Sequence, residues 1–165
     1  MNKTKYNTKK DNNIAQGFID SLYYQIKLTE KCSKILAKQL EEKLELEITL
    51  DELTALGTIN MYNGEIHQRD LARILLKDRP NTGRMLNNLE EKGYIKRIEK
   101  TKNKRQSNII MLTPKGVNTL EELTRIIRPM FDDVHERLAE FDVDYLKKGI
   151  QRLREAMAET IEIHI

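Results

Sequence analysis

Residues His67 to Thr113 read HQRDLARILLKDRPNTGRMLNNLEEKGYIKRIEKTKNKRQSNIIMLT, and this stretch decides the fold. Apolar residues at three- and four-residue steps predict two short helices on either side of a turn at Leu76-Lys77. The apolar runs 94–98 and 107–112 predict two strands joined by a basic loop, 100–106. This order of elements is typical of a winged helix–turn–helix, which places its second helix in the DNA major groove.

The second helix of this stretch has two different sides. Asp78 is a good N-cap, and a proline is tolerated in the first turn of a helix. At 100° per residue, one side carries Thr82, Leu86 and Leu89, and it should pack on the core. The opposite side carries polar residues whose donors and acceptors can pair with guanine and adenine edges, unless it is an ordinary solvated surface. Its members are Pro80, Asn81, Arg84, Asn87 and Asn88.

Positive charge is concentrated here. Between Lys77 and Arg105, ten Lys and Arg residues face four Asp and Glu, a net charge of +6, although the whole chain carries only +3. Such a cluster is typical of a polyanion site. The loop between the two strands has four cations in seven residues, so it is either a phosphate or minor-groove contact or a solvated hairpin tip. These cations are Lys100, Lys102, Lys104 and Arg105.

The flanks complete the expected domain organisation. Residues 1–12 are polar and should be disordered, with a basic arm that reaches DNA as the alternative. Residues 13–48 are expected to be an N-terminal dimerisation segment. Its helix, from residue 13 to about residue 44, should be about 45 Å long, which is too long to be buried in one small domain. Residues 49–113 form the winged helix–turn–helix, and residues 114–165 predict C-terminal helices with a narrow apolar seam. These flanking helices are interpreted as a homodimer interface, with internal packing as the alternative.

The remaining features limit the class of protein. Only seven Gly and three Pro, with no Trp, favour a mainly α fold of the α+β class with an aliphatic core. One cysteine, Cys32, cannot form an internal disulfide; we interpret it as a small buried hydrophobe, with a redox or metal role as the alternative. No signal peptide or membrane span is expected, which favours the cytoplasm. Without a Gly-rich phosphate loop or a convergent catalytic or metal-ligand set, no enzyme activity, cofactor or metal is expected.

With these residues described, the chain resembles the MarR family of bacterial transcription factors. The resemblance lies in Asp70-Leu71-Ala72, Arg84, the helix end 89–95 (LEEKGYI) and the segment 112–116 (LTPKG). It implies a symmetric homodimer that binds double-stranded DNA at a pseudo-palindromic operator, most often as a repressor, and releases it when a small-molecule effector binds. In two places the sequence departs from the family. Asn103 stands where the wing usually has Asp, and Leu76 stands at a turn position commonly filled by Gly.

The resemblance and the helix geometry together give the expected DNA-binding residues. Arg84, Asn81 and Asn88 are expected to read bases, with Pro80 on the same face. A second set is expected to contact the DNA backbone, which supplies affinity and little sequence information. That set is Arg69, Thr82, Lys102, Lys104 and Arg105. The alternative function is an architectural or protein-interaction winged helix without an operator of its own.

Overall fold

Helices dominate the structure, a computed structural model that describes residues 16–102 and 105–160, without the side chains of residues 100–107. The expected mainly α fold with a small antiparallel sheet is confirmed. The chain divides into two compact units, Met1–Leu50 and Asp51–Ile165. The predicted tail, residues 1–12, lies outside the described residues.

In the first unit, residues 16–19 are helical and helix α1 spans Leu22–Lys43. The prediction of one unbroken helix over 13–44 is wrong at Ser21. The Ser21 hydroxyl donates to the carbonyl oxygen of Phe18 (2.6 Å) and accepts from the backbone N–H of Tyr24 (3.2 Å). A short hydroxyl side chain that binds the nearby backbone in this way ends one helix and caps the next.

The rest of the chain alternates short helices with strands. In order, the elements are α2 (Leu50–Met61), β1 (Glu65–His67), α3 (Gln68–Ile74), α4 (Arg79–Glu91), β2 (Ile95–Lys102), β3 (Arg105–Leu112), α5 (Pro114–Glu136) and α6 (Val143–Thr160). The predicted cap of α4 is confirmed at Asp78, and Thr113 caps α5. Asp142 caps α6, because it accepts from the N–H of Tyr145 at 2.9 Å. Helix α5 continues through Pro129. No helix among the described residues is long and apolar enough to cross a bilayer.

The sheet has three strands in the order β1-β3-β2, all antiparallel. Strand β1 was not predicted, because three residues are too few to show an alternating pattern. The basic loop is also shorter than expected. Pairing of β2 with β3 continues to Lys102 opposite Arg105, so most of the backbone of 100–106 belongs to strands. Charged side chains on a hairpin do not prevent its backbone groups from pairing.

One aliphatic core holds these elements together. The fully buried side chains come from α2, α3, α4 and the two long strands, and each stabilises the fold by roughly 1.5–3 kcal/mol through burial. They include Leu56, Ile59, Leu71, Leu86, Leu89, Ile95 and Ile110. Leu71 is fully buried, whereas Ile74 is exposed at the last position of α3.

Four helices end in the same backbone motif, in which the residue after the C-cap is left-handed. At the end of α3, the N–H of Leu76 donates to the carbonyl oxygen of Arg73 (3.2 Å) and the N–H of Lys77 to that of Ala72 (3.0 Å). This is a Schellman motif, whose left-handed position favours glycine. The residues at that position are Glu45, Asn63, Leu76 and Gly93, with φ between 48° and 76°. At the end of α2, Asn63 occupies the left-handed position, and Gly64 after it also has a positive φ.

Leu76→Gly is expected to stabilise the chain by roughly 0.5–1 kcal/mol, because glycine removes the clash between Cβ and the backbone at φ 51°. The side chain of Leu76 is 53% exposed, so little buried area is lost. Urea unfolding measures the change. Leu76→Ala is the control, because it shortens the side chain but keeps Cβ; equal stabilisation by both substitutions would contradict the backbone explanation.

Candidate nucleic-acid interface

Helix α4 presents its polar side to solvent, as its periodicity predicted. Thr82, Leu86 and Leu89 are fully buried, and Leu86 and Leu89 belong to the aliphatic core. Pro80, Asn81, Arg84 and Asn87 are exposed on the other side. Packing therefore fixes the rotation of the helix about its axis, and the exposed side can meet a large external ligand.

The exposed side begins with a ladder of hydrogen bonds along one face of the helix. One carboxylate oxygen of Asp78, Oδ1, accepts from the backbone N–H of Asn81 (2.7 Å), and the other, Oδ2, accepts from Asn81 Nδ2 (2.6 Å). The Oδ1 atom of Asn81 in turn accepts from Arg84 Nη2. Three residues at three-residue steps are thus linked before any ligand binds.

Two residues assigned to DNA contact lie elsewhere. Thr82 has 0% of its surface exposed, and its hydroxyl donates to the carbonyl oxygen of Asp78 (2.8 Å), so the assignment of its side chain to a phosphate is wrong. At 100° per residue, Thr82 lies on the same side of α4 as the buried leucines. Asn88 is half-buried, and its Nδ2 donates to Glu52 Oε1 (2.5 Å), a side chain of α2 that is only 6% exposed. This contact ties α4 to α2 and takes up a donor that base reading would need.

A second network joins α4 to strand β2 and was not predicted. The backbone N–H and the Nε of Arg97 donate to the two carboxylate oxygens of Glu90 (2.9 and 2.7 Å). The Nη2 of Arg97 also donates to Asn87 Oδ1 (2.7 Å). Hydrogen bonds from Arg97 hold the pKa of the Glu90 carboxyl below its usual value despite partial burial. The sequence contains one weak indication of this network, the three-residue spacing of Asn87 and Glu90 followed by an arginine. That spacing is common in helices and does not by itself predict the network.

Glu90→Gln is expected to lower the free energy of unfolding by about 1 kcal/mol at neutral pH, because an amide is a weaker acceptor for a guanidinium and solvent screens the pair. The pKa of Glu90 is lowered from 4.5 in the folded chain, so its contribution is complete above pH 4.5 and is lost as the pH falls below that value. The stability difference from the native chain should therefore narrow in that acidic window.

Urea unfolding over a pH series measures the effect of Glu90→Gln. Glu91→Gln removes a charge from the neighbouring, exposed residue and is the matched control. A stability difference for Glu90→Gln that stayed constant down to pH 3 would contradict the role of the ionised carboxylate.

The helix before the turn adds exposed cations. Arg69 and Arg73 of α3 both lie close to Asp70, with Arg69 Nε at 3.8 Å and Arg73 Nη2 at 4.0 Å from its Oδ1. Both arginines are mostly exposed, so these pairs are weak and leave the guanidinium groups open to phosphate. The other predicted cations, Lys102, Lys104 and Arg105, have side chains outside the described part of the chain.

The end of α4 and the start of α5 interlock. The Thr113 hydroxyl donates to the carbonyl oxygen of Gly93 (2.7 Å), and its backbone N–H donates to that of Tyr94 (3.1 Å). Lys115 Nζ donates to the carbonyl oxygen of Lys92 (2.9 Å) and lies 4.4 Å from the centroid of the buried Tyr94 ring. The two motifs 89–95 and 112–116, separate in sequence, are therefore one structural junction.

The described residues form no cluster of three or more His, Cys, Asp or Glu that could hold a metal ion. An open hollow of about 520 Å³ lies at the turn between α5 and α6. Its lining includes the carboxylates Asp132, Glu136, Asp142 and Asp144. Cys32 is exposed on α1, so its interpretation as a buried hydrophobe is wrong for the single chain.

Comparisons with known proteins relate part of the chain to one family. Residues 48–107 match the model described as the MarR family. Among solved structures, S. aureus MepR in complex with DNA is 23% identical over 83% of this chain and 98% of its own, with a TM-score of 0.69. The transcriptional regulator SlyA is 25% identical over 83% and 96%, with a TM-score of 0.70. Residues 48–107 are thus similar to the MarR family.

The MarR resemblance expected from the motifs is therefore confirmed, and the chain has the fold of the family's DNA-binding transcriptional regulators. The organohalide-sensing regulator RdhR, in its 2,4-dichlorophenol-bound form, shares this fold at 17% identity over 82% of this chain and 81% of its own, with a TM-score of 0.69. No curated protein matches the sequence. The family match runs from residue 48, just before α2, to residue 107 near the start of β3, and this segment contains the ladder on α4 and the Arg97 network.

Proposed function

We propose that this chain is a sequence-specific transcriptional regulator that binds a pseudo-palindromic operator as a homodimer and represses by blocking a promoter. The observation that carries the proposal is the exposed side of α4, where Arg84 and Asn81 stand free of the core beside a basic hairpin. A helix with one buried and one polar, cationic side fits the major groove. The relative MepR, crystallised with DNA, supports the same use of this fold.

Arg84 is the residue proposed to read a base, because a guanidinium can donate two parallel hydrogen bonds to the O6 and N7 of guanine. We propose that Arg69 contacts a DNA phosphate, as do the hairpin cations Lys102, Lys104 and Arg105. Pro80, at the start of α4, is proposed to lie against the DNA backbone. Phosphate contacts orient the protein and add affinity for any sequence, so they complement the specific contact.

Exposed apolar side chains support the homodimer. In the first unit, α1 and the turn before it leave large aromatic and aliphatic residues open to solvent: Phe18, Leu22, Tyr23, Leu28, Ile35 and Leu36. In the second unit, α5, α6 and the turn between them expose a comparable set: Phe131, Val134, Phe141, Tyr145, Leu146, Ile150 and Met157. Apolar surface on this scale is typical of a subunit interface. A two-fold dimer would set two α4 helices against two half-sites.

We also propose that binding of a small-molecule effector releases the DNA. The dichlorophenol-bound form of RdhR supports it, because that regulator has the same fold. The hollow between α5 and α6 is a poor place for a phenolate, since its four carboxylates would repel an anion. We therefore expect phenolic effectors to bind at another position.

Selection from random duplexes of about 30 base pairs, long enough for two half-sites one turn apart, tests the proposal. The expected result is an enriched palindrome, bound by a species of twice the chain mass and released by some members of a panel of phenolic compounds. Equal binding of the enriched and scrambled duplexes would favour the architectural alternative. A monomeric complex would overturn the dimer, and binding unchanged by the panel would count against phenolic effectors.

A further inference from the structure

The ladder on α4 assigns a direction to the amide of Asn81. The Oδ2 atom of Asp78 lies 2.6 Å from Asn81 Nδ2, and only the NH2 end of an amide can donate to a carboxylate. The opposite end, Oδ1, must then face Arg84, where it accepts from Nη2. Exchanging the two ends would set oxygen against carboxylate and NH2 against guanidinium, so both contacts would become repulsive.

The same ladder leaves Arg84 able to bind a base. A guanidinium has five N–H donors in a plane, and Asn81 takes one of them. The described structure gives Arg84 no other side-chain partner, so the rest of its donors are free. A long arginine side chain loses much rotamer freedom when it binds, and a bond that holds its head group beforehand lowers that loss.

Resting on the proposed function, we propose that Asn81 is a positioning residue for Arg84, anchored by Asp78, and does not read a base of its own. Asn81 and Arg84 then act together on one base pair. The ladder is exposed in the free chain, where water screens each bond. When α4 enters the DNA major groove, water is displaced from around the ladder. The same charge-assisted hydrogen bonds then become stronger in the complex, where Arg84 distinguishes one base from another.

The experiment compares the enriched palindrome with duplexes that carry each of the other base pairs at every position of a half-site. Four proteins are measured: the native chain, Asn81→Ala, Arg84→Ala and the double variant. Arg84→Ala defines the base pair that Arg84 reads. Asn81→Ala is expected to reduce discrimination at that same base pair by roughly twofold to tenfold, the range of one net hydrogen bond. In the double variant, loss of Asn81 should add nothing at that position.

Asp78→Ser tests the anchor separately from the helix cap. Serine caps a helix about as well as aspartate, so the backbone N–H of Asn81 keeps an acceptor. Serine lacks the second oxygen that holds Asn81 Nδ2, so discrimination at the base pair of Arg84 should again fall. Thermal unfolding of each variant checks that it is folded.

Three results would overturn the inference. Asn81→Ala could change preference at a different base pair, and do so equally in the Arg84→Ala background, which would make Asn81 a base reader. It could leave discrimination at the base pair of Arg84 unchanged. Asp78→Ser could leave discrimination at the base pair of Arg84 unchanged while Asn81→Ala reduced it, which would show that Asp78 does not hold Asn81 in place. If the native chain enriched no sequence, the proposed function itself would fail, and the inference with it.

Discussion

Gly116→Ala is expected to destabilise the chain by about 3 kcal/mol, enough to lower the midpoint of thermal unfolding by roughly 6–12 °C. A Cβ on Gly116 would lie 2.1 Å from the carbonyl oxygen of Tyr94 and 3.0 Å from its carbonyl carbon. These are backbone atoms, so no side-chain rotation relieves the clash. The same carbonyl oxygen accepts from the N–H of Thr113 and is held in place. Circular dichroism during heating measures the effect.

Gly83→Ala is the matched control for Gly116→Ala. Gly83 also lies in a helix, but a Cβ there would meet nothing within 4 Å. Alanine exceeds glycine in helix propensity by about 1 kcal/mol, so Gly83→Ala should stabilise the chain slightly. If Gly116→Ala had the same midpoint of thermal unfolding as the native chain, the close approach of α5 to the end of α4 would not exist in solution.

Arg84→Ala is expected to weaken binding to the enriched palindrome by roughly 1–3 kcal/mol, about 5- to 150-fold, and to leave binding to scrambled DNA nearly unchanged. The Arg84 guanidinium combines a positive charge with a planar fork of donors on the exposed side of α4. Its loss should therefore remove discrimination more than general affinity. Fluorescence anisotropy with both duplexes, at several salt concentrations, separates the two effects.

Lys104→Ala is the contrasting variant. Loss of one phosphate contact should weaken binding to both duplexes alike and reduce the slope of log affinity against log salt by about one. The two variants thus differ in kind as well as in size. If both lowered affinity equally for palindrome and scrambled DNA, Arg84 would be a phosphate contact.

Local signals in the sequence predicted much of the fold. Asp78 and Thr113 cap their helices as expected, and a 100° repeat correctly separated Leu86 and Leu89 from Arg84. Features that depend on partners distant in the chain were missed. Strand β1 exists because Ile66 pairs with Ile110, and three residues carry no period of their own. The hairpin is longer than its composition indicated, because strand pairing does not depend on apolar side chains.

The candidate site divides in the same way. Exposure of Asn81 and Arg84 followed from helix geometry, which a single sequence contains. The engagement of Asn88 by Glu52, 36 residues away, did not, because it requires α2 to lie beside α4. Thr82 was assigned to DNA although its position in the repeat already placed it with the buried leucines. A threonine hydroxyl can bind a phosphate, but the helical repeat places Thr82 in the core, and its side chain is fully buried there.

The hydrogen bonds of Arg97 have a mechanical consequence. They connect β2 to two residues one turn apart on α4, so they hold the hairpin against this helix. Under the proposed function, an effector releases DNA without rotating α4 against its own hairpin. It changes the distance between the two α4 helices of the dimer, because half-sites one helical turn apart tolerate little error in that distance.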